Sequence, residues 1–249
     1  MHRTTVGGAG YGGDVGAYRE YLPPAGLERV VACAWESDVL IAGTQRVIPD
    51  GCVDLVWFGD RIVVVGADTG PVVWEPVGTA ACGVRLRPGM AGGVLGLPAD
   101  EVRDQRVPLT SLWPQAAELT EALAAADQAA RLRLLTKAVL HRHAEPDPLI
   151  GAAMGRLVAP EARIATVASD LGVSERQLHR LITAAVGYGP KVLARVARLR
   201  RLVAGQAGSL ADRAFAAGYA SQSHMNDEVR RLTGLTPVRF LEDAALTAA

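Results

Sequence analysis

Two stretches, VASDLGVSERQLHRLI at residues 167–182 and AFAAGYASQSHMNDEVRRLTGLTP at residues 214–237, repeat one local pattern. Each has an Ala, three further residues, a Gly, one or two apolar residues and then a Ser that opens a new helix. The small Ala lets two helices approach closely, the Gly supplies the positive φ that ends the first helix, and the Ser caps the second. Both stretches therefore predict a pair of helices joined by a tight turn, and Ser174 with Gln177 also matches a capping box.

The apolar spacing in each second helix predicts which side chains face solvent. Apolar residues recur at helical intervals and should face the core: Leu178, Leu181 and Ile182 in the first unit, and Met225, Val229 and Leu232 in the second. The side chains left outward are polar: Arg176, Gln177, His179, Arg180 and Thr183, and then Gln222, Ser223, Asn226, Asp227, Arg230 and Arg231. Arg can contact guanine and Gln can contact adenine in the major groove. These helices either read DNA or present ordinary solvated faces.

The net charge of zero hides two unlike halves. The 249 residues carry 26 Lys+Arg and 26 Asp+Glu. Residues 1–149 hold 13 basic and 18 acidic residues, a net charge of −5, and residues 150–249 hold 13 and 8, a net charge of +5. Such asymmetry favours a module that faces a polyanion joined to something else.

The first half has the pattern of a β-rich domain. Short apolar runs at 29–35, 53–58, 61–65, 71–74 and 81–89 alternate with Pro, Asp and Gly turn signals, which predicts a sandwich or a small barrel. Residues 114–142 predict two helices that break near Ala126-Asp127. The fold class is therefore α+β with two domains. We expect a flexible leader at 1–16, a regulatory domain at 17–145 and an all-helical domain at 146–249.

Residues from about 150 to 242 resemble the paired helix-turn-helix domain of AraC/XylS-type transcription regulators. The resemblance rests on the two quoted stretches and on the connecting helix, and VGYGPKVLARVARLRR (186–201) is similar to one branch of that family. Members of that branch carry a poorly characterised N-terminal domain with a PDG and an RxRPG segment, here Pro49–Gly51 and Arg85–Gly89. Many relatives sense a small molecule in a cupin-like N-terminal domain.

The resemblance implies that double-stranded DNA is the partner and that two recognition helices enter successive major-groove segments. The implied DNA-binding residues are Ser174, Arg176, Gln177, His179 and Arg180 in the first unit, and Ser221, Gln222, Ser223, Asn226 and Arg230 in the second. It also implies a small-molecule effector and contact with RNA polymerase. A homodimer stays open, because two recognition helices in one chain can span two groove segments without a second copy.

One departure from the family pattern affects the second unit. Asp227 stands where many relatives place an Arg, and Glu228 follows it. Phosphate repels an acid there, although Asp can accept from cytosine N4. We therefore predict that the first unit dominates sequence specificity and that the second contributes mainly position.

The first half offers two weaker candidate sites. Trp35, Trp57 and Trp74 could line an effector pocket or belong to the core. Cys52 follows a turn and could be an accessible redox thiol, or it could be a small buried hydrophobe like Cys33 and Cys82. No catalytic residue, metal site or cofactor is predicted, because the β-region has no His and the chain has no G-x-S-x-G, P-loop or GxGxxG motif.

Two function classes remain open. The first is a cytoplasmic transcription regulator, since no apolar run is long enough to span a membrane and the N-terminus has no secretory signal. The second is a small-molecule or thiol-redox binding protein whose helical half mediates packing or oligomerisation. In the first class, the acidic half could also dock on the basic half and compete with DNA.

Overall fold

The computed structural model describes residues 3–4, 18–23, 25–38, 45–74, 80–145, 147–205 and 208–242. The expected leader at 1–16 lies outside the described residues except for Arg3 and Thr4. Most strands come first along the chain and helices follow from residue 91, with one further strand at Arg106–Pro108. The predicted α+β class with a helical C-terminal half is confirmed.

An antiparallel sheet forms the N-terminal part. Its described strands are β1 (Arg3–Thr4), β2 (Tyr18–Tyr21), β3 (Val31–Ser37), β5 (Val53–Trp57), β6 (Ile62–Val65), β8 (Ala81–Leu86) and β9 (Arg106–Pro108), in the spatial order β1-β2-β3-β8-β5-β6-β9. β4 (Gln45–Val47) and β7 (Val72–Trp74) pair separately. Within the described residues β1 and β9 are the two edges, so the sheet is open and does not close into a barrel.

Three helices follow the main strands and pack together, and the last of them packs directly on the sheet. They are α1 (Ala91–Leu95), α2 (Ala116–Ala125) and α3 (Gln128–Arg142), with short 3-10 turns at Ala99–Glu101 and Leu109–Ser111. α3 packs on β3 and β8 through Leu132, Leu135 and Val139, which are all buried. Asp127 caps α3 by accepting from the Ala130 amide at 2.7 Å, which explains why the helical pattern breaks at the predicted position.

Seven helices make up the described C-terminal part. They are α4 (Pro148–Leu157), α5 (Ile164–Asp170), α6 (Glu175–Val186), α7 (Pro190–Ala204), α8 (Leu210–Ala216), α9 (Gln222–Thr233) and α10 (Pro237–Glu242). All seven lie within residues 146–249, the segment that the sequence predicts to be all-helical. α4 packs against α5, α6 and α7, so it belongs with the helices that follow it.

One apolar core runs through both parts of the chain. It joins sheet residues such as Leu55 and Val84 to Leu178 and Ile182 of α6 and to Val229 of α9, all of which are almost fully buried. Sequence patterning missed β2, β9 and α1, because their short segments show no clear periodicity. No described helix has the length and apolarity needed to cross a membrane.

Candidate nucleic-acid interface

The first helix-turn-helix unit turns through a Schellman motif. Gly172 takes φ +67°, and its amide donates to the Ser169 carbonyl at 3.0 Å. The Val173 amide donates to the Ala168 carbonyl at 3.0 Å, which is the second hydrogen bond of that motif. Ala168 is 2% exposed, as a close helix–helix approach requires.

The second unit repeats the same turn. Gly218 takes φ +89°, its amide donates to the Phe215 carbonyl at 2.9 Å, and the Tyr219 amide donates to the Ala214 carbonyl at 3.0 Å. Ala214 is 1% exposed. The internal repeat in the sequence is therefore a repeat of backbone hydrogen bonding, with α5 and α6 in one copy and α8 and α9 in the other.

The outer face of α6 presents two unpaired guanidinium groups. Leu178 and Ile182 are fully buried, which turns Arg176 and Arg180 towards solvent. Neither Arg forms an ion pair or a hydrogen bond with the described part of the chain. Both side chains are thus available to an external phosphate or base edge.

Two other side chains proposed for α6 already have partners inside the protein. Gln177 Oε1 accepts from the Ser174 amide at 2.9 Å, while the Gln177 amide donates to Ser174 Oγ at 3.2 Å. This capping box occupies the oxygen that a bidentate contact to adenine would need. His179 lies 3.4 Å from the Thr183 hydroxyl and packs against Gly189, where a Cβ would come within 2.6 Å of its ring.

Helix α9 opens with Ser221, whose Oγ accepts from the His224 amide at 3.1 Å. Its inward residues are buried as expected: Met225, Val229 and Leu232. Its proposed DNA-binding residues are exposed except for Asn226, which is half-buried: Gln222, Ser223, Asn226 and Arg230. This face is polar but carries the exposed Asp227 between its outward residues.

Glu228 corrects the expectation of an acidic pair on the DNA-facing side. Only Asp227 is exposed, whereas Glu228 is 7% exposed and points inward. Its carboxylate accepts from Arg198 Nε and Nη2 at 2.9–3.1 Å and from Arg195 Nε at 3.1 Å. His224 Nε2 lies 3.3 Å away on the same helix face. This cluster ties α9 to α7, and its Arg partners lie 30 and 33 residues away in the chain.

The acidic half does not cover the outer face of α6. Its contacts with α6 involve the 3-10 turn at Ala99–Glu101 and helix α1, while Arg176 and Arg180 stay exposed. The expectation that the acidic half competes with DNA for this surface is wrong for the arrangement in the structure. Several of its acids pair instead with nearby Arg residues, as Asp68 does with Arg106 at 2.8 Å.

A family model described as a helix-turn-helix domain matches residues 167–243. Residues 167–243 are an AraC-type helix-turn-helix domain. A second model, described as a domain of unknown function, matches residues 19–108 and covers the sheet. The AraC-type domain therefore contains both Schellman turns and both candidate recognition helices.

Curated relatives share a segment of this chain. It is 40% identical over 85 residues to the "probable bifunctional transcriptional activator/DNA repair enzyme AlkA" of Mycobacterium tuberculosis, in strains CDC 1551/Oshkosh and ATCC 25618/H37Rv. The match covers 33% of this chain, and the chain spans only 17% of the length of those relatives.

Solved structures of ToxT from Vibrio cholerae are similar over most of the chain at low identity. ToxT from strain O395 matches with a TM-score of 0.39 and 10% identity, covering 83% of this chain and 90% of that one. Wild-type ToxT from strain SCE256 with an unsaturated fatty acid bound matches with a TM-score of 0.41 and 10% identity, covering 88% and 96%.

The tryptophans expected to share a pocket do not converge. On strand β8, Gly83 is the cross-strand partner of Trp35, and the residue before it, Cys82, is the cross-strand partner of Trp57. Because consecutive residues of a strand point to opposite faces, Trp35 and Trp57 lie in separate apolar clusters on the two sides of the sheet. The expectation of one pocket is therefore wrong for these two residues, and the side chain of Trp74 lies outside the described residues.

A small cavity lies beside the Pro49–Gly51 turn. Residues from 47–54 and 65–68 line it together with Arg85, and no tryptophan forms part of its wall. Its volume of about 30 Å³ has room for one or two water molecules. A drug-sized effector would need the surrounding walls to move.

The cysteines are buried thiols. Cys52 is 8% exposed, so the expectation of an accessible redox thiol is wrong. Burial raises the pKa of the Cys33 and Cys82 thiols to about 12 and that of Cys52 well above its ordinary value. Since the thiolate is the reactive form, all three stay protonated and inert at neutral pH.

We expect the folded protein to resist thiol reagents. At pH 8 an aromatic disulfide reagent should modify none of the three cysteines within minutes, and it should modify all three once denaturant unfolds the chain. Absorbance of the released aromatic thiol measures both rates. One fast equivalent in the folded protein would contradict this prediction and revive redox sensing.

Proposed function

We propose that this protein is a sequence-specific DNA-binding transcription regulator that reads duplex DNA through α6 and α9. One observation carries the proposal. The two halves of the AraC-type domain repeat the same Schellman turn and serine cap, and each presents an outward polar helix face next to a buried apolar one. Such a pair can address two major-groove segments from a single chain.

The two helices would contribute unequally. Arg176 and Arg180 are exposed and unpaired on α6, so each can make a bidentate contact to guanine or neutralise a phosphate. α9 offers Gln222, Ser223 and Arg230, but Asp227 lies among them. We infer that α6 supplies most of the base discrimination and that α9 fixes the register.

The salt dependence of binding tests this proposal against a helical half that only packs or oligomerises. For the full-length protein, the logarithm of the binding constant should fall linearly with the logarithm of the salt concentration. The slope should be about −0.9 for each phosphate contacted. The protein should also prefer a selected sequence over random duplex by about a thousandfold. Binding with no salt dependence, or with no preference among sequences, would contradict the proposal.

Control would pass through the N-terminal domain, which contacts the C-terminal end of α6. The candidate partners besides DNA are a small-molecule effector, RNA polymerase and a second copy of the chain. Two recognition helices in one chain make a homodimer unnecessary for reading two groove segments. The buried thiols and the cavity of about 30 Å³ do not favour a redox or small-molecule binding protein as the alternative.

A further inference from the structure

Helix α6 ends against the N-terminal domain. Gly187 closes it at φ +92°, and the Gly187 carbonyl accepts from Arg103 Nη1 at 3.3 Å. A Cβ at Gly187 would lie 3.0 Å from Ala67 Cβ and 3.3 Å from the Ala99 carbonyl. The helix end therefore meets the backbone of the other domain with no space between them.

Tyr188, the next residue, is inserted into that domain. It is 2% exposed, and its hydroxyl lies 2.9 Å from the position that a Cβ of Gly51 would take. Gly51 has φ +82°, and the Pro88 ring comes within 3.2 Å of the same Cβ position. A side chain at residue 51 would displace Tyr188, so the Pro49–Gly51 turn forms its seat.

The Tyr188 hydroxyl makes no hydrogen bond within the described part of the chain. Burial raises the pKa of Tyr188, so the hydroxyl stays neutral. A buried hydroxyl without a partner adds no stability. The ring packs between the Pro49–Gly51 turn and the end of α6, and this packing is one of the contacts that join the two domains.

A small tilt of α6 about its C-terminal end produces a large displacement of its N-terminal end. The helix has 12 residues and is therefore about 18 Å long. Tilting it by about 5° about Tyr188 would shift its first turn by about 1.5 Å, which is enough to break a bidentate hydrogen-bond pair to a base. Arg176 lies in that first turn.

The second recognition helix has a different support. α9 packs on α7, α8 and α10, and the Glu228 carboxylate fixes it to Arg195 and Arg198 of α7. A disturbance at Tyr188 should therefore reach α6 and leave the orientation of α9 almost unchanged.

We propose that Tyr188 is a positioning residue that sets the orientation of α6 on DNA from its seat against Gly51 in the N-terminal domain. This inference rests on the proposed function. It also gives the three segments Pro49–Gly51, Arg85–Gly89 and Val186–Pro190 one shared role, since they meet at this contact.

The test uses the full-length protein and a DNA site that it selects from a randomised pool. Two altered sites are made, each with one half scrambled. For each half, discrimination is the dissociation constant for the site with that half scrambled divided by the dissociation constant for the intact site. The half read by α6 is the one whose discrimination Arg180→Ala lowers. Variants Tyr188→Ala, Tyr188→Phe and Arg103→Ala are compared, with the exposed Arg61→Ala as a control far from the contact.

Tyr188→Ala should lower discrimination at the α6 half by about tenfold and leave the α9 half within about twofold. Tyr188→Phe keeps the ring and should retain wild-type discrimination, because the Tyr188 hydroxyl makes no hydrogen bond that the substitution would remove. Arg103→Ala should act like Tyr188→Ala with about a threefold effect, since one hydrogen bond is removed. Arg61→Ala should match the wild type.

Two results would overturn the inference. In one, discrimination at both halves falls in parallel, as general destabilisation would cause. In the other, a folded Tyr188→Ala variant keeps wild-type discrimination at the α6 half. Thermal unfolding shows which variants are folded. If Tyr188→Ala is unfolded, the exposed Arg103→Ala variant replaces it: a selective loss of discrimination at the α6 half supports the inference, and wild-type discrimination there overturns it. A wild-type protein that selects no sequence would instead refute the proposed function itself.

Discussion

Arg180→Ala should weaken binding of the full-length protein to its selected site by about ten- to a hundredfold. The guanidinium is exposed on the outer face of α6 and has no partner within the described residues, so its full hydrogen-bonding capacity is available to DNA. A bidentate contact from Arg to guanine contributes about 1–3 kcal/mol of discrimination. Fluorescence anisotropy with a labelled duplex measures the loss.

The folded protein should tolerate this change. Surface substitutions away from packed features alter stability by less than about 0.5 kcal/mol. Arg133→Ala, an exposed Arg on α3, is the matched control for the lost charge and should retain most of the affinity. Asp227→Ala should bind as well as the wild type or better, because it removes an acid near phosphate. The ranking of the two units would be wrong if Asp227→Ala abolished binding while Arg180→Ala did not.

Glu228→Ala should lower the free energy of unfolding more than any of the substitutions at exposed positions. It removes the carboxylate that holds Arg195 and Arg198 and leaves their charges side by side. Breaking a buried pair costs about 3–5 kcal/mol. The two Arg side chains are 31% and 19% exposed and can regain water, so we expect about 2 kcal/mol.

Urea unfolding followed by circular dichroism measures this loss, and the thermal midpoint should fall by about 4–8 °C. Asp227→Ala is the matched control, since it removes the same charge one residue earlier from an exposed position. It should change the free energy of unfolding by less than about 0.5 kcal/mol. Equal losses in the two variants would contradict the inward position of Glu228.

The helix-turn-helix units could be predicted because their determinants are local. A Gly with positive φ, a Ser cap and apolar residues three or four apart act within one turn of chain, and each occurs twice. Ser174 and Gln177 form the predicted capping box for the same reason. The local pattern also placed Leu178 and Ile182 in the core correctly.

The features that sequence reasoning missed depend on distant partners. Glu228 lies next to the inward stripe of Met225, Val229 and Leu232, whereas its acidic neighbour Asp227 faces outward. Its burial is possible only because α7 brings Arg195 and Arg198 to it. No local pattern shows that pairing.

The sheet shows the same dependence on distant pairing. Trp35 and Trp57 lie in similar apolar runs, and only the register on β8 places them on opposite faces. The seat of Tyr188 joins a turn in the first domain to the residue after α6. Both arrangements follow from tertiary packing, which patterns within a single segment do not determine.

Selection from a randomised duplex pool, followed by footprinting of the full-length protein, tests the central claim most directly. We expect one enriched site with two short conserved blocks about one helical turn, 10–10.5 base pairs, apart on the same face of the duplex. Arg180→Ala should erase the conservation of one block and leave the other. A pool that shows no enrichment, or a single block unaffected by substitutions in α6, would contradict the claim that two recognition helices in this chain read DNA.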